Sequence, residues 1–442
     1  MSNKHDLLPT VVIGAGPTGL AAAAHLVSRG VQTLVVEAGP HVGHAMRQWG
    51  HIRTFTPWRY IVDSAAEKLL APTGWAIPAA ERPPTGDGIV EYYLEPLAHA
   101  LGASVVRTDT RVSAVSRVSM DKTHRGGRAD RPLLVRVEDP RAGIVDIRAR
   151  AVIDASGTWG QPNPLGASGL PARGELEAGR FLAGPLPDVS GADRASFAGR
   201  RALVVGAGHS AANTLLSLAR LAQEVTGTEV VWAIRGAGPE RVYGGGDADE
   251  LKARGQLGKD LRDLVTSGQV RLVSEFSIES LIVGADHLCV VGETSSGPLQ
   301  IDRISRLVAA TGFRPDLSIL SELQLDLDPS LEAARGIAPL IDPRFHSCGT
   351  VPPHGHRELA HPEPNFYIAG MKSYGRAPTF LIATGNEQVR SIAASIAGDV
   401  AAADDVQLEL PRTGVCSVST SGEEVTSMNC CEDCETCQDD CC

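Results

Sequence analysis

Short β-branched runs alternate along this chain with longer stretches in which apolar residues recur every three or four positions, the pattern of buried strands joined by amphipathic helices. Val11-Val12-Ile13 is the first run, followed by glycines and an alanine-rich helix pattern through Leu26, and Thr33-Leu34-Val35-Val36 is the second. Glu91 to Leu101 reads as a helix ended by Gly102, while Val105-Val106, Val112–Val118, Leu133–Val137 and Ile144–Ile147 read as short strands of an antiparallel pattern. Met120–Pro132 is polar and glycine-bearing, which predicts a surface loop between two of them. Ala151–Asp154 is a further strand, ending in the small residues Ala155-Ser156-Gly157, and Leu165–Phe197, rich in Gly, Pro and Ala, reads as a linker. The opening pattern then begins again: Ala202–Val205, a glycine turn, a helix through Arg220 and the strand Val230–Ile234. Arg306–Gly312 and Asn365–Gly370 are late buried strands, and Met371–Phe380 is expected to open a helix running to about Ala397.

The two glycine turns give this duplication a chemical meaning. In Gly14-Ala15-Gly16-Pro17-Thr18-Gly19 the first glycine permits a sharp turn off the strand, the second lets backbone approach a pyrophosphate, and the third lets the helix pack closely on the sheet. The helix N-terminus then presents unpaired N–H groups and a partial positive charge to the phosphates. Eighteen residues after Gly19, the next strand ends in Glu37, whose carboxylate suits a ribose diol. The second copy reads Gly206-Ala207-Gly208-His209-Ser210-Ala211, and its following strand ends in Arg235, with Arg241 in the same loop. An acid repels a 2′-phosphate and an arginine clamps one, so two nucleotides of different type are implied, the second being NADPH. The plain alternative for Arg235 is an exposed cation at a strand end.

At 442 residues with 43% hydrophobic content, the chain has room for two or three α/β domains. No apolar run approaches the roughly 18 residues of a membrane span, and the opening MSNKHDLLPT is too short in apolar residues for a secretory signal, so a cytoplasmic location is expected. Of the net charge of −11, −10 falls between Asp399 and Cys442, where eleven acids face one base, Arg412. The acidity argues against non-specific nucleic-acid binding. Seven of nine cysteines lie at or beyond Cys416, so the body is not a disulfide scaffold. Thr413–Cys442 has the composition of a disordered segment, and Cys430, Cys431, Cys434, Cys437, Cys441 and Cys442 make it a candidate trap for a soft metal ion or trivalent arsenic. Zinc alone is a further reading, because Cys434 and Cys437 form a CxxC half-site.

With its two glycine turns, Ala309-Ala310-Thr311-Gly312 and the terminal Phe366-Tyr367-Ile368-Ala369-Gly370, the chain resembles the two-dinucleotide-domain flavoproteins over roughly residues 10–397. These include flavin-containing and Baeyer–Villiger monooxygenases, thioredoxin reductases and mercuric reductases. More narrowly, VIDASGTWGQPNPLG, VVGAGHSAANT, RVYGGGDADEL, SCGTVPPHG and GMKSYGRAPTFLIATG resemble the flavin monooxygenase-like proteins of arsenic-resistance operons. The resemblance implies an α/β chain of two Rossmann-like, three-layer ββα dinucleotide-binding domains, one inserted in the other: residues 1–197 and 313–399 for FAD, 198–312 for NADPH, and an acidic tail at 400–442. It implies that Trp58, Ala155, Gly157, Thr311, Gly312, Gly370 and Thr379 lie at the cofactors. Arg59, Lys372 and Arg376 are the candidate catalytic cations near the flavin, although Trp49, Trp58 and Tyr60 read equally well as core aromatics.

Several positions depart from those relatives. Phe181–Pro187 lacks the histidine of the monooxygenase fingerprint, the body has no redox CxxC, and Gly370-Met371 stands where many relatives have Gly-Asp. The expected function is NADPH-dependent FAD oxidation chemistry on a small molecule with molecular oxygen as partner. The rivals are a metal, metalloid or disulfide reductase working through the terminal cysteines, and a flavin-bearing sensor or metallochaperone. The resembled group makes a homodimer the expected assembly. His354, His356 and His361 read as a solvated or flavin-edge loop rather than as metal ligands, and Cys348 reads as a residue near the flavin edge.

Overall fold

The computed structural model describes residues 7–244, 246, 251–346 and 350–410. Two parallel sheets organise it. The first has the order β16 (Phe366–Ile368), β7 (Ala151–Asp154), β1 (Thr10–Ile13), β2 (Thr33–Val36), β3 (Val106–Arg107). The second has the order β11 (Arg271–Val273), β10 (Glu229–Ala233), β9 (Arg201–Val205), β15 (Arg306–Ala309), β8 (Leu182–Ala183). Each is backed by an antiparallel three-stranded sheet: β4 (Arg111–Arg117), β5 (Leu133–Asp139) and β6 (Gly143–Ala149) for the first, and β12 (Ser277–Val283), β13 (Leu288–Thr294) and β14 (Gly297–Ile304) for the second.

The period-two alternation of strands explains the layering. Val12, Val35 and Ile153 point to one face of the first sheet and pack on α1 (Pro17–Ser28), whose Ala21–Ala24 let it lie close, and on α6 (Ile382–Ile396). Val11, Ile13, Val36 and Val152 point to the other face and meet Val112, Val115 and Val135 of the antiparallel sheet. The second unit repeats the scheme: Ala202, Val204 and Trp232 face α4 (His209–Glu224), while Leu203, Val205 and Val231 face Leu281, Leu288 and Ile301. This is the expected pair of ββα Rossmann-like domains, one inserted in the other.

Four local readings change. The helix expected from Met371 onward is two elements, a tight turn at Gly370–Tyr374 and α6, separated by residues 375–381. Gly375, at φ +57, breaks the run, because a Cβ there would meet Leu331 O at 1.9 Å. Residues beyond Ala397 regain a helical turn, α7 (Val400–Asp404), capped by the Asp399 side chain. The stretch read as linker supplies the edge strand β8 and, through Val189 and Phe197, part of the second core. Finally, the polar loop Met120–Pro132 is not wholly at the surface: Arg128 is buried, with Arg117 beside it, on the carboxylate of Glu363. That carboxylate also accepts from Gln324 N, and Arg117 and Arg128 spend their remaining donors on carbonyls that include Arg131 O, Pro364 O and Asp121 O. Burial alone would raise the pKa of Glu363, but the bonds from Arg128, Gln324 and Arg117 hold it below the usual carboxylate value.

Candidate functional site

The first glycine turn leaves β1 at Gly14, whose φ of +95 excludes a side chain, and a Cβ there would lie 2.8 Å from Ala155 O. The small residues after β7 therefore cross in contact with the turn. Gly19 is equally forced, since its Cβ would stand 1.9 Å from Gly14 O. Gly16 is different: it is the N-cap of α1, at φ −82 and ψ −173, and a Cβ there would meet nothing within 4 Å. Pro17 follows at the first helical position, where its missing N–H costs nothing. Thr18 is buried and turned toward Gly370 and Gly385 rather than toward the opening.

Beside the turn lies a cleft of about 250 Å³ lined by Gly14, Glu37, Ser156, Gly157, Asp316 and Lys372, among others. Glu37 accepts from Ala15 N and Gly39 N, both at 2.8 Å, which ties the end of β2 to the turn and leaves lone pairs on both oxygens. Asp316, bonded by Ser318, is held below the usual carboxylate pKa. Lys372 lies in the floor, 2.7 Å from Asp154 Oδ2. The turn that carries it is fixed from behind by Gln388, whose Oε1 accepts from Gly370 N at 2.8 Å and whose Nε2 donates to Ser373 Oγ and stands 2.9 Å from His354 Nε2. Burial pushes the His354 pKa down, so its Nδ1–H is free to bond Pro352 O while Nε2 accepts.

The second turn repeats the device. Gly206, at φ +130, would put a Cβ 2.0 Å from Ala310 O, whereas a Cβ on Gly208, the N-cap of α4, would meet nothing. His209 and Ser210 open the helix, and the Phe55 ring, from the first domain, sits 5.1 Å from that of His209. Arg235 is exposed two residues beyond β10, where its side chain makes a 3.3 Å bond to Ala167 O, and Arg241 is exposed in the short helix that follows. The two chain crossings between the domains pair with each other. Asn163 N donates to Gly312 O at 2.9 Å, Arg314 N donates to Gln161 O at 3.0 Å, and Thr311 Oγ1 bonds Asn163 O. Trp159 stacks on Phe313 at 5.0 Å and approaches Trp49 at 6.5 Å.

The structure does not bring the other candidates to these clefts. Arg59 pairs with exposed Glu81 and lines a separate cleft with His25, Asp63 and Arg390. Trp58 is buried in the core of the first domain. Arg376 is paired with Glu332, and buried Thr379 donates to Ile341 O. His354, His356 and His361 are neither solvated nor together: each bonds a different partner, Gln388, Ser391 and Asp326 N respectively. Among the described residues no group of three or more His, Cys, Asp or Glu side chains is arranged to hold a metal ion. Cys348 and the tail cysteines Cys430, Cys431, Cys434, Cys437, Cys441 and Cys442 lie outside the described residues. Cys289 is the one described cysteine, its thiol pushed up to about 11 by burial and by Asp302. No described helix is long and apolar enough to cross a membrane. Sequence reasoning marked the stretch that holds Phe55 but missed Gln388 and the roles of Asp154 and Glu363. Only Asp154, a charge closing an apolar strand, carried a visible signal.

Residues 12–74 match the model of the NAD(P)-binding Rossmann-like domain. Over 328 residues the chain is 26% identical to a ferredoxin–NADP reductase of Nocardioides sp., covering 73% of this chain and 77% of that one. Its fold is similar to that of a bacillithiol disulfide reductase from Bacillus cereus, with a TM-score of 0.65, 19% identity and coverage of 88% and 99% of the two chains. It is also similar to the ornithine N-hydroxylase of Kutzneria sp. 744, solved with reduced FAD, NADP+ and L-ornithine, with a TM-score of 0.57, 18% identity and coverage of 90% and 98%. The chain thus has the fold of two-domain flavin- and nicotinamide-dependent oxidoreductases.

Proposed function

We propose that this chain is an NADPH-dependent FAD oxidoreductase of monooxygenase-like type, acting on a small molecule with molecular oxygen as partner in a metalloid-resistance setting. One observation carries the reading. Two glycine turns, each with an open N-cap glycine, end the central strands β1 and β9 of two separate parallel sheets, and the adjacent strands lead to opposite charges, Glu37 and Arg235. The first turn fits FAD: a Cβ would fill the space at Gly16, the N–H groups of α1 face it, and Glu37 keeps acceptor capacity for a ribose. The second fits NADPH, with Arg235 and Arg241 exposed for a 2′-phosphate.

Bound FAD supplies hydride acceptance and electron transfer. The chain's own residues position: the turns hold the phosphates, the paired crossings fix one domain against the other, and the half-buried rings of Trp49, Trp159 and Phe313 pack along the connection. The nicotinamide- and flavin-dependent activities of the similar proteins support the cofactor pair, and the resemblance of this chain's motifs to those of arsenic-operon flavoproteins supports the setting. Cys289, alone and with a raised pKa, offers no redox partner, which favours oxygen over a protein disulfide within the described body. The test is anaerobic mixing of FAD-loaded protein with NADPH or NADH, followed by air. Loss of the oxidised-flavin spectrum, faster with NADPH, and its return with oxygen consumption are expected. A flavin that NADPH does not bleach overturns the proposal; reoxidation only when a thiol-bound metalloid is added would favour the reductase.

A further inference from the structure

We infer that Lys372 is the positioning cation for the anionic part of the dinucleotide in the first cleft, and that Asp154 beneath it holds the affinity down. The inference rests on the reading of that cleft as the FAD site. Lys372 comes from the turn after β16, and its ammonium is 2.7 Å from Asp154 Oδ2 and 3.1 Å from Ser156 Oγ, with 1% of the side chain exposed. An ammonium has three donors. Two are used, and the third has no partner among the described residues on a side chain that lines the cleft.

Asp154 is fully buried and stands opposite Ile13, the residue before the glycine turn. Its other oxygen accepts from Ser156 N and Ser156 Oγ. Every partner of this carboxylate side chain among the described residues is therefore Ser156 or Lys372, and both line the cleft. The remaining charged groups in the lining are Glu37, Asp316 and Arg111, the last exposed. An anionic group in this cleft, beside Gly14, brings negative charge to a floor whose one buried cation in the lining is already balanced by Asp154. The ammonium thus has a donor to offer an incoming phosphate, while its counter-ion, in a poorly screened site, opposes the same phosphate.

The two residues should then act with opposite sign, which a purely structural ion pair would not do. The experiment measures FAD affinity of the full-length apoprotein by flavin fluorescence at several salt concentrations, for wild type, Lys372→Met, Asp154→Asn and the double variant, with circular dichroism to confirm folding. Lys372→Met is expected to weaken FAD at least tenfold and to flatten the salt dependence. Asp154→Asn is expected to tighten FAD about threefold or more and to steepen it. The double variant, which buries no unpaired charge, should fall between them and keeps the test open if Lys372→Met does not fold. Weakening by Asp154→Asn equal to that of Lys372→Met, or a salt slope that neither change moves, would overturn the inference. Folded wild-type apoprotein that takes up no FAD would instead overturn the cofactor reading on which it rests.

Discussion

The glycines of the first turn separate folding from binding, and a single methyl group tests the separation. Gly16→Ala places a Cβ where nothing lies within 4 Å, on a backbone at φ −82 and ψ −173 that alanine adopts freely. The unfolded chain loses entropy and the N-cap loses a little preference, effects of about 0.5–1 kcal/mol and of opposite sign, so the apoprotein should melt within a few degrees of wild type. The same methyl occupies the space a phosphate oxygen needs. Losing two charge-assisted N–H bonds at about 1.5 kcal/mol each gives about 3 kcal/mol, or roughly 100-fold in FAD affinity. Gly19→Ala is the contrast: its Cβ would sit 1.9 Å from Gly14 O, so it should lower the melting temperature of the apoprotein itself. Thermal melts of the apoproteins and fluorescence titration with FAD read the two effects apart. Wild-type FAD affinity in Gly16→Ala, or a collapse of its apo melting temperature, would refute the reasoning.

Other outcomes follow from particular contacts. Arg235→Gln removes an exposed guanidinium held, among the described residues, by one long bond, so stability should be unchanged while the preference for NADPH over NADH falls by about five- to thirty-fold in anaerobic flavin reduction. Glu363→Gln leaves Arg117 and Arg128, with 1% and 3% of their side chains exposed, without a counter-charge, which should cost about 3–5 kcal/mol in urea unfolding; a loss under about 1 kcal/mol would contradict that. Burial lowers the His361 pKa to about 4, so the unfolded chain takes up this proton first as pH falls. Stability should therefore drop between about pH 6.5 and pH 4 by something on the order of 3 kcal/mol, and His361→Gln should flatten that slope. The full reduced chain should bind a soft ion such as Zn(II) or As(III), and serine at the six terminal cysteines from Cys430 to Cys442 should abolish the uptake.

The two sheets were legible because local pattern and global packing agree there. Val11, Val12 and Ile13 must be apolar on both faces, and Gly14 and Gly19 must be glycine for two separate steric reasons while Gly16 stands open, so the sequence carries the turn almost without context. The floor of the cleft was legible only in part. Lys372 is visible as a cation after the last strand, but its partner lies 218 residues earlier, and no periodicity reports a pairing across that distance. Arg59 and Arg376 look like Lys372 in sequence, and what distinguishes them is Glu81 and Glu332, each brought in from elsewhere in the chain. The histidine loop misleads for a related reason: its prolines and polar residues suggest solvent, whereas Gln388 and Ser391 on α6 give His354 and His356 buried partners. Side-chain alternation sets the layers, and long-range charge pairing sets the site.

Because Gln161–Asn163 and Gly312–Arg314 run side by side in hydrogen-bond contact, the second domain enters and leaves the first through a single doorway. The backbone of the host at that doorway is continuous in space although it is interrupted by some 150 residues in sequence. The inserted unit is thus a cassette: an ancestor could acquire it, lose it or exchange it for one of different coenzyme preference by an event at one locus, without re-threading the host sheet. A chimaera joined at these two short segments is the natural way to transplant coenzyme choice between relatives of this fold.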